Sequence, residues 1–241
     1  MQLEIIAHRG YSAIAPENTL AAFSTAIQHG ANSIEFDVQL SSDGIPIIIH
    51  DSTLDRTTNG KGNVIDKTLE QLKTLDAGSW FNPQFSTSRI PTLSEALSAI
   101  KDLNKFIYPE VKGADNWSDA NIDNFVQIII ESGCQEKCIV ACFNDTFLAR
   151  IRQRHSQIIL GYLVSSVSKF TEKLPLAAAD GNAIMLSEYH VLLNNPSLVA
   201  TSRNQGIDLG VWTVDSPSDL QKLVNIDVVR LITNSLVEYR A

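Results

Sequence analysis

SIEFDVQLSSDGIPIIIH, residues 33–50, decides how many strands this chain can place in one sheet. Between Val38 and Ile45 lie only the six residues Gln39 to Gly44. A right-handed crossover between parallel strands takes a dozen or more. Asp43-Gly44 is instead a strong type I′ hairpin signal. With those two residues as the turn, position i opposes position 87 − i, and Asp37 sits across from His50. Glu35 and Asp37, two apart, share that face, while Ile34, Phe36 and Val38 point the other way. One hairpin therefore gathers two carboxylates and a histidine.

Strand candidates recur at 3–7, 33–39, 45–50, 106–111, 138–142, 158–163, 183–187, 209–214 and 228–233, with amphipathic helical patterns between most of them. Asn18 is expected to cap a helix whose Leu20, Phe23 and Ile27 share a face and which Gly30 ends. Thr92-Leu93-Ser94-Glu95 is a capping box, and Ser118 opens a helix carrying Ile122, Phe125, Val126 and Ile129. Strand and helix alternating this often mean a parallel sheet, and 241 residues suit a closed (β/α)8 barrel. Nine candidates for eight places leave one strand antiparallel or peripheral. Residues 51–90 break the rhythm with the loop Thr57 to Gly62 and the irregular Gly78 to Pro83. Forty residues exceed an ordinary βα connection. The expectation is one barrel domain over residues 1–241, with a small lobe at about 51–90 inserted after the third strand.

A net charge of −8 argues against a nucleic-acid backbone as the partner, since that needs clustered Lys and Arg. A phosphodiester can still bind where a metal and a few cations invert the field locally. Cys134, Cys138 and Cys142 lack a nearby fourth ligand for zinc and read as buried thiols of a reducing, cytoplasmic setting. Met1 to Ala7 has no basic n-region, and no stretch approaches eighteen apolar residues. Neither a signal peptide nor membrane insertion is expected.

His8 follows the apolar run Leu3 to Ala7 and His50 follows Ile47 to Ile49, which puts both at strand C-terminal ends, where such barrels keep their active sites. A lone histidine there is usually structural. Two, each followed by a charged residue, suit a reaction in which one ring accepts a proton and the other donates one. Glu35, Asp37 and Glu110 offer oxygen ligands alone, which suit a hard cation, Mg²⁺ or Ca²⁺, rather than zinc. Glu110 and Lys112 share a face of Tyr108 to Lys112, a strand whose Pro109 weakens its hydrogen-bond ladder. Arg9 can grip two phosphate oxygens or merely pair with Glu17; Lys112 can add a point charge.

Ala7-His8-Arg9-Gly10, Pro16-Glu17-Asn18-Thr19, Glu35-Phe36-Asp37, His50-Asp51 and Pro109-Glu110-Val111-Lys112 together resemble the glycerophosphodiester phosphodiesterase family, a branch of the phospholipase-C-like phosphodiesterases, from residue 5 to roughly 235. The resemblance implies metal-dependent hydrolysis of small glycerophosphodiesters, such as glycerophosphocholine and glycerophosphoethanolamine, to sn-glycerol 3-phosphate and an alcohol. It implies one divalent cation on Glu35, Asp37 and Glu110, with His8 and His50 as acid and base in unassigned order. Arg9, aimed by Glu17, would meet substrate together with Lys112 and Trp212, and the family carries an insertion at the same point. Phe143-Asn144 matches a family segment with Cys142 at the usual serine, whereas Leu231 to Ser235 departs from the family's Thr-Asp-x-Pro and is expected to carry no site residue. A lysophospholipase D-like activity is the nearest rival, with Trp80, Phe81 and Phe85 as its apolar surface. A non-catalytic glycerophosphate-binding barrel would be expected to have lost a histidine, and a sugar-cleaving carboxylate pair would not need Arg9 and Lys112. Oligomeric state stays open.

Overall fold

The computed structural model describes residues 3–236. In chain order the first elements are β1 (Glu4–His8), α1 (Leu20–Gln28), β2 (Ser33–Leu40), β3 (Pro46–Ile48), α2 (Leu69–Lys73), α3 (Leu93–Ile100) and β4 (Ile107–Val111). They continue as α4 (Asp119–Glu131), β5 (Ile139–Cys142), α5 (Asp145–Arg154), β6 (Ile159–Val164), α6 (Val167–Asp180) and β7 (Ala183–Glu188). The last are α7 (Tyr189–Asn194), α8 (Ser197–Asn204), β8 (Asp208–Trp212), α9 (Pro217–Asn225) and β9 (Arg230–Thr233). Eight parallel strands close in the order β1-β2-β4-β5-β6-β7-β8-β9, with β9 back on β1, forming a (β/α)8 barrel.

The ninth strand is β3, antiparallel to β2 and outside the ring. β1 pairs with Ser33 to Glu35 and ends at His8, and β3 takes the edge of β2 left beyond it, at Val38 to Leu40. The register is one residue off the sequence expectation. Val38 faces Ile48 rather than Ile49, because the turn has three residues, Ser42 to Gly44, not two. Ser41 N donates to Ile45 O at 3.1 Å, and Gly44 closes the turn at φ 75°, the left-handed residue that three-residue hairpins require. A slip of one reverses faces along a regular strand. His50 escapes that reversal because β3 stops at Ile48 and Gln39 Nε2 gathers the carbonyls of Ile49, His50 and Asp51 at 3.2, 2.8 and 2.6 Å.

Pleating sorts the side chains into layers. Ile34, Phe36 and Val38 point outward against Phe23, Leu93 and Leu97 of the helical shell. Ile6, Tyr108, Ile139, Leu163, Leu186 and Ile232 fill the barrel interior. Residues 51–90 rest on a third cluster of Ile47, Ile49, Leu54, Val64, Leu72, Ala77 and Ile90. The capping box at Thr92 forms as expected, and Ser118 opens its helix as expected, there with a capping box closed by Asn121. At α1 the cap is Thr19, whose side chain accepts from Ala22 N, rather than Asn18. Pro109 leaves its mark on the β5 side: β4 keeps its full ladder to β2 but only Glu110 to Ala141, plus a bridge from Ile107 to Cys138, toward β5. All three cysteines are free and buried, and burial pushes the Cys142 thiol up to about 11. Among the described residues no helix is long and apolar enough to cross a membrane.

Candidate active site

Parallel register sets His8 beside Glu35 and Asp37 beside Glu110, so inward positions on three adjacent strands converge. One carboxylate oxygen from each of Glu35, Asp37 and Glu110 lies within 4.8 Å of the others. Arg9 (φ 56°) and Gly10 (φ 79°) turn the chain left-handed straight after β1, and Arg9 N donates to Glu35 Oε2 at 3.0 Å. A Cβ at Gly10 would stand 2.7 Å from the Ala22 main chain, so only glycine fits this turn. Asn18, also left-handed, gives its amide to the site. Its Nδ2 donates to Asp37 Oδ2 at 2.8 Å and its Oδ1 accepts from Asp37 N at 3.2 Å.

Two cations face this acidic cluster. Arg9 Nε lies 3.2 Å from Asp37 Oδ2, and Arg9 Nη1 donates to Glu17 Oε1 at 2.7 Å, as the sequence suggested. Lys112 Nζ bonds Glu110 and stands 3.2 Å from Asp37 Oδ1. They do not satisfy it. Glu35 Oε1 is buried with no hydrogen-bond partner, and Asp37 Oδ1 has the lysine's charge but no well-aligned bond. Burial, then the Asp37 and Glu110 charges, push Glu35 well above the usual carboxylate range. Burial and then Asp37 raise Glu110 to about 7 against the pull of Lys112 and Arg9. Asp37 is held below the usual range: burial opposes its charge, but Lys112, Arg9, His50 and Asn18 outweigh it. An all-oxygen set with an orphaned buried carboxylate oxygen and two carboxyls that resist ionisation fits a hard divalent cation.

Both histidines have one ring nitrogen committed. His8 Nδ1 is 2.7 Å from Asn234 Oδ1. Asn234 Nδ2 donates to Asp215 Oδ2 at 2.7 Å and Ser12 Oγ donates to Asn234 Oδ1 at 2.9 Å, which fixes Oδ1 as an acceptor. His8 therefore carries its proton on Nδ1 and leaves Nε2, 3.9 Å from Glu35 Oε2, with a lone pair. Burial, then Arg9, lower its pKa to about 4, so the ring is neutral. His50 Nδ1 bonds Asp51 Oδ1 at 2.8 Å instead. Arg56 grips both Asp51 oxygens, at 2.7 and 2.9 Å, and, ahead of the His50 bond, holds that carboxyl well below its usual range.

His8, Arg9, Glu35, His50, Glu110 and Lys112 form the polar side of a cavity of about 270 Å³. Its opposite wall is apolar: Phe143, Leu163, Leu186, Trp212 and Ile232. Trp212 Nε1 donates to Leu186 O at 3.2 Å, and Phe143 meets the Trp212 ring edge to face at 6.0 Å. Phe81 meets Trp80 and Phe85 edge to face, and none of the three lines this cavity. A larger hollow of about 600 Å³ opens among the strand N-termini, around Glu4, Phe106, Asp208 and Arg230, at the far end of the barrel from the histidines.

The sequence profile of the glycerophosphoryl diester phosphodiesterase family matches residues 8–238. The chain belongs to that family. It is 36% identical over 236 residues to the glycerophosphodiester phosphodiesterase of Caldanaerobacter subterraneus subsp. tengcongensis, covering 97% of this chain and 95% of that one. It superposes on a phosphodiesterase from Oleispira antarctica, solved in complex with the product sn-glycerol-3-phosphate, with a TM-score of 0.88 at 32% identity, over 96% of this chain and 92% of the other. The glycerophosphodiester phosphodiesterase from Agrobacterium tumefaciens gives 0.85 at 26% identity, over 99% of each chain. As a glycerophosphodiester phosphodiesterase it is an enzyme, and the site expected from its sequence assembles in one place.

Four contributors were not foreseen in this phosphodiesterase. Asn18 was read as a cap and Asn234 lay in a segment expected to carry nothing; both instead bond site residues. Asp51 was only the neighbour of His50, and Arg56 was given no role. The Asp immediately after His50 was an available signal. Asn18 stood in the Pro16-Glu17-Asn18-Thr19 motif with no role in the site assigned to it, and nothing local in the sequence marks Asn234 or Arg56.

Proposed function

We propose that this chain hydrolyses small glycerophosphodiesters, glycerophosphocholine and glycerophosphoethanolamine among them, to sn-glycerol 3-phosphate and the free alcohol. The observation that carries this is the triad Glu35, Asp37 and Glu110 with its orphaned oxygen, enclosed by two cations and two half-committed histidines. The product held by the Oleispira phosphodiesterase supports the choice of substrate class. Glu35, Asp37 and Glu110 would hold one Mg²⁺ or Ca²⁺, which when bound polarises phosphate and lowers the pKa of a hydroxyl beside it. Arg9 and Lys112 stabilise the charge that grows on the phosphoryl oxygens. His8 Nε2, neutral and unprotonated, takes the proton of the attacking oxygen, either that of water or that of the glycerol 2-hydroxyl, in which case a water then opens the cyclic phosphate to sn-glycerol 3-phosphate. His50, oriented by the Asp51 carboxylate at its Nδ1, gives a proton to the departing alcohol. Trp212 and Phe143 pack against the organic part of the substrate.

The apolar wall favours one second reading, a lysophospholipid substrate, although the insertion's aromatics do not contribute to it. Rates on glycerophosphocholine and lysophosphatidylcholine separate the two, and a higher kcat/KM on the lipid would replace the first reading. We further read residues 51–90 as a lobe inserted into one barrel domain of 1–241, acting in the reducing cytoplasm where three free thiols persist.

Arg9→Lys keeps the charge but loses the planar fork shared between phosphate, Glu17 and Asp37. kcat/KM on glycerophosphocholine is expected to fall by the equivalent of about 1.5–3 kcal/mol, the range for a charged hydrogen bond. Unchanged kinetics would make Arg9 a structural residue.

A further inference from the structure

The two groups that act at opposite ends of the proposed reaction, the His50 acid and the Arg9 phosphate grip, each lean on a carboxylate. One side chain joins those carboxylates. Arg56 Nε and Nη2 donate to Asp51 Oδ2 and Oδ1 at 2.7 and 2.9 Å, while Nη1 and Nη2 donate to Glu17 Oε2 and Oε1 at 2.7 and 2.9 Å. Charge-assisted contacts thus run unbroken from His50 through Asp51, Arg56, Glu17 and Arg9 to Asp37. Two carboxylates held by two forks of one plane is an arrangement that only a guanidinium can make. Arg56 does not line the cavity, and it comes from the segment outside the barrel ring.

We propose that Arg56 is a positioning residue for the phosphodiesterase reaction, setting His50 and Arg9 relative to each other through Asp51 and Glu17; this rests on the function proposed above. Two consequences follow from removing the bridge. Asp51 keeps only His50 as its partner, and the imidazole loses its fixed aim. Glu17, no longer shared, competes with phosphate for Arg9. The first slows protonation of the leaving group and the second weakens substrate binding. A half-exposed ion pair that only ties two loops together would do neither and would contribute at most about 1 kcal/mol of stability.

The test uses the full chain with glycerophosphocholine and with the glycerol-phosphate nitrophenyl ester, whose leaving group departs without a proton. Arg56→Gln is expected to lower kcat on the choline ester by about 10- to 100-fold, the scale for losing a group that orients a functional imidazole. kcat on the nitrophenyl ester should change by less than about threefold, because acid assistance is not needed there. KM should rise for both. Arg56→Lys, which keeps charge but cannot fork to both carboxylates, should show the same pattern more weakly. Methylguanidinium added to Arg56→Gly should restore part of the choline-ester rate. Intact kinetics in Arg56→Gln would overturn the proposal, as would equal losses on both esters with unchanged KM and no rescue. An unmutated protein that turns over neither ester would instead remove the functional reading on which the proposal rests.

Discussion

Alanine at either His8 or His50 is expected to lower kcat on glycerophosphocholine by roughly 10²- to 10⁴-fold, the range for a positioned proton-transfer group. The rate of the intact enzyme should be bell-shaped in pH, since one ring must be neutral and the other protonated. The two variants should part company on the nitrophenyl ester. His50→Ala should recover much of its rate there, because nitrophenolate leaves unprotonated. His8→Ala should stay slow with both esters, since the attacking oxygen still has to lose its proton. The assignment rests on the partners: a neutral Asn234 amide behind the buried His8, a carboxylate behind His50. Recovery in His8→Ala alone would exchange the roles, and equal recovery would refute any division of labour. A nitrophenyl ester lacking the glycerol 2-hydroxyl should be a poor substrate if that hydroxyl attacks phosphorus. Equal rates with and without it would assign the attack to water.

Removing the cation should have a comparable effect. Excess chelator is expected to abolish turnover, and Glu110→Gln to weaken cation affinity at least about tenfold. The raised pKa of Glu110 adds a pH signature. Its carboxyl holds a proton to about 7 in the folded chain, against 4.5 as its ordinary value. That contribution to stability is present below the ordinary carboxylate range and is lost as pH rises through about 7. The chelated protein should therefore lose thermal stability between about pH 4.5 and 7, and an added divalent cation should raise Tm more at the upper end. Glu110→Gln should flatten the pH dependence of the chelated protein. A cation effect on Tm that is constant across that range would contradict the assignment of Glu110 as a ligand.

The barrel was legible because its strands are short apolar runs with helical patterns between most of them, some with readable starts, as at Thr92 and Ser118. The hairpin at residues 33–50 was legible in kind but not in register. Ser41 closes on Ile45 across three residues, and Asp43-Gly44 reads equally well as the whole of a two-residue turn or the end of a three-residue one. The site was legible wherever the chemistry sits on strands, since period-two spacing aims Glu35 with Asp37 and Glu110 with Lys112. It was illegible where loops supply support. Asn18 and Asn234 lie 19 and 226 residues from the groups they bond, and no local pattern reports such a contact. Arg56 is 39 residues from Glu17, and its pairing depends on how the segment outside the ring lies on the barrel.

The most direct test of the whole account is release of sn-glycerol 3-phosphate from glycerophosphocholine by the purified full chain, followed by coupling to glycerol-3-phosphate dehydrogenase with Mg²⁺, with Ca²⁺ and with excess chelator. The account predicts stereospecific release of that product with at least one of the two cations and none in chelator. Release undiminished by chelator, or no glycerol 3-phosphate under any of the three conditions, would contradict it.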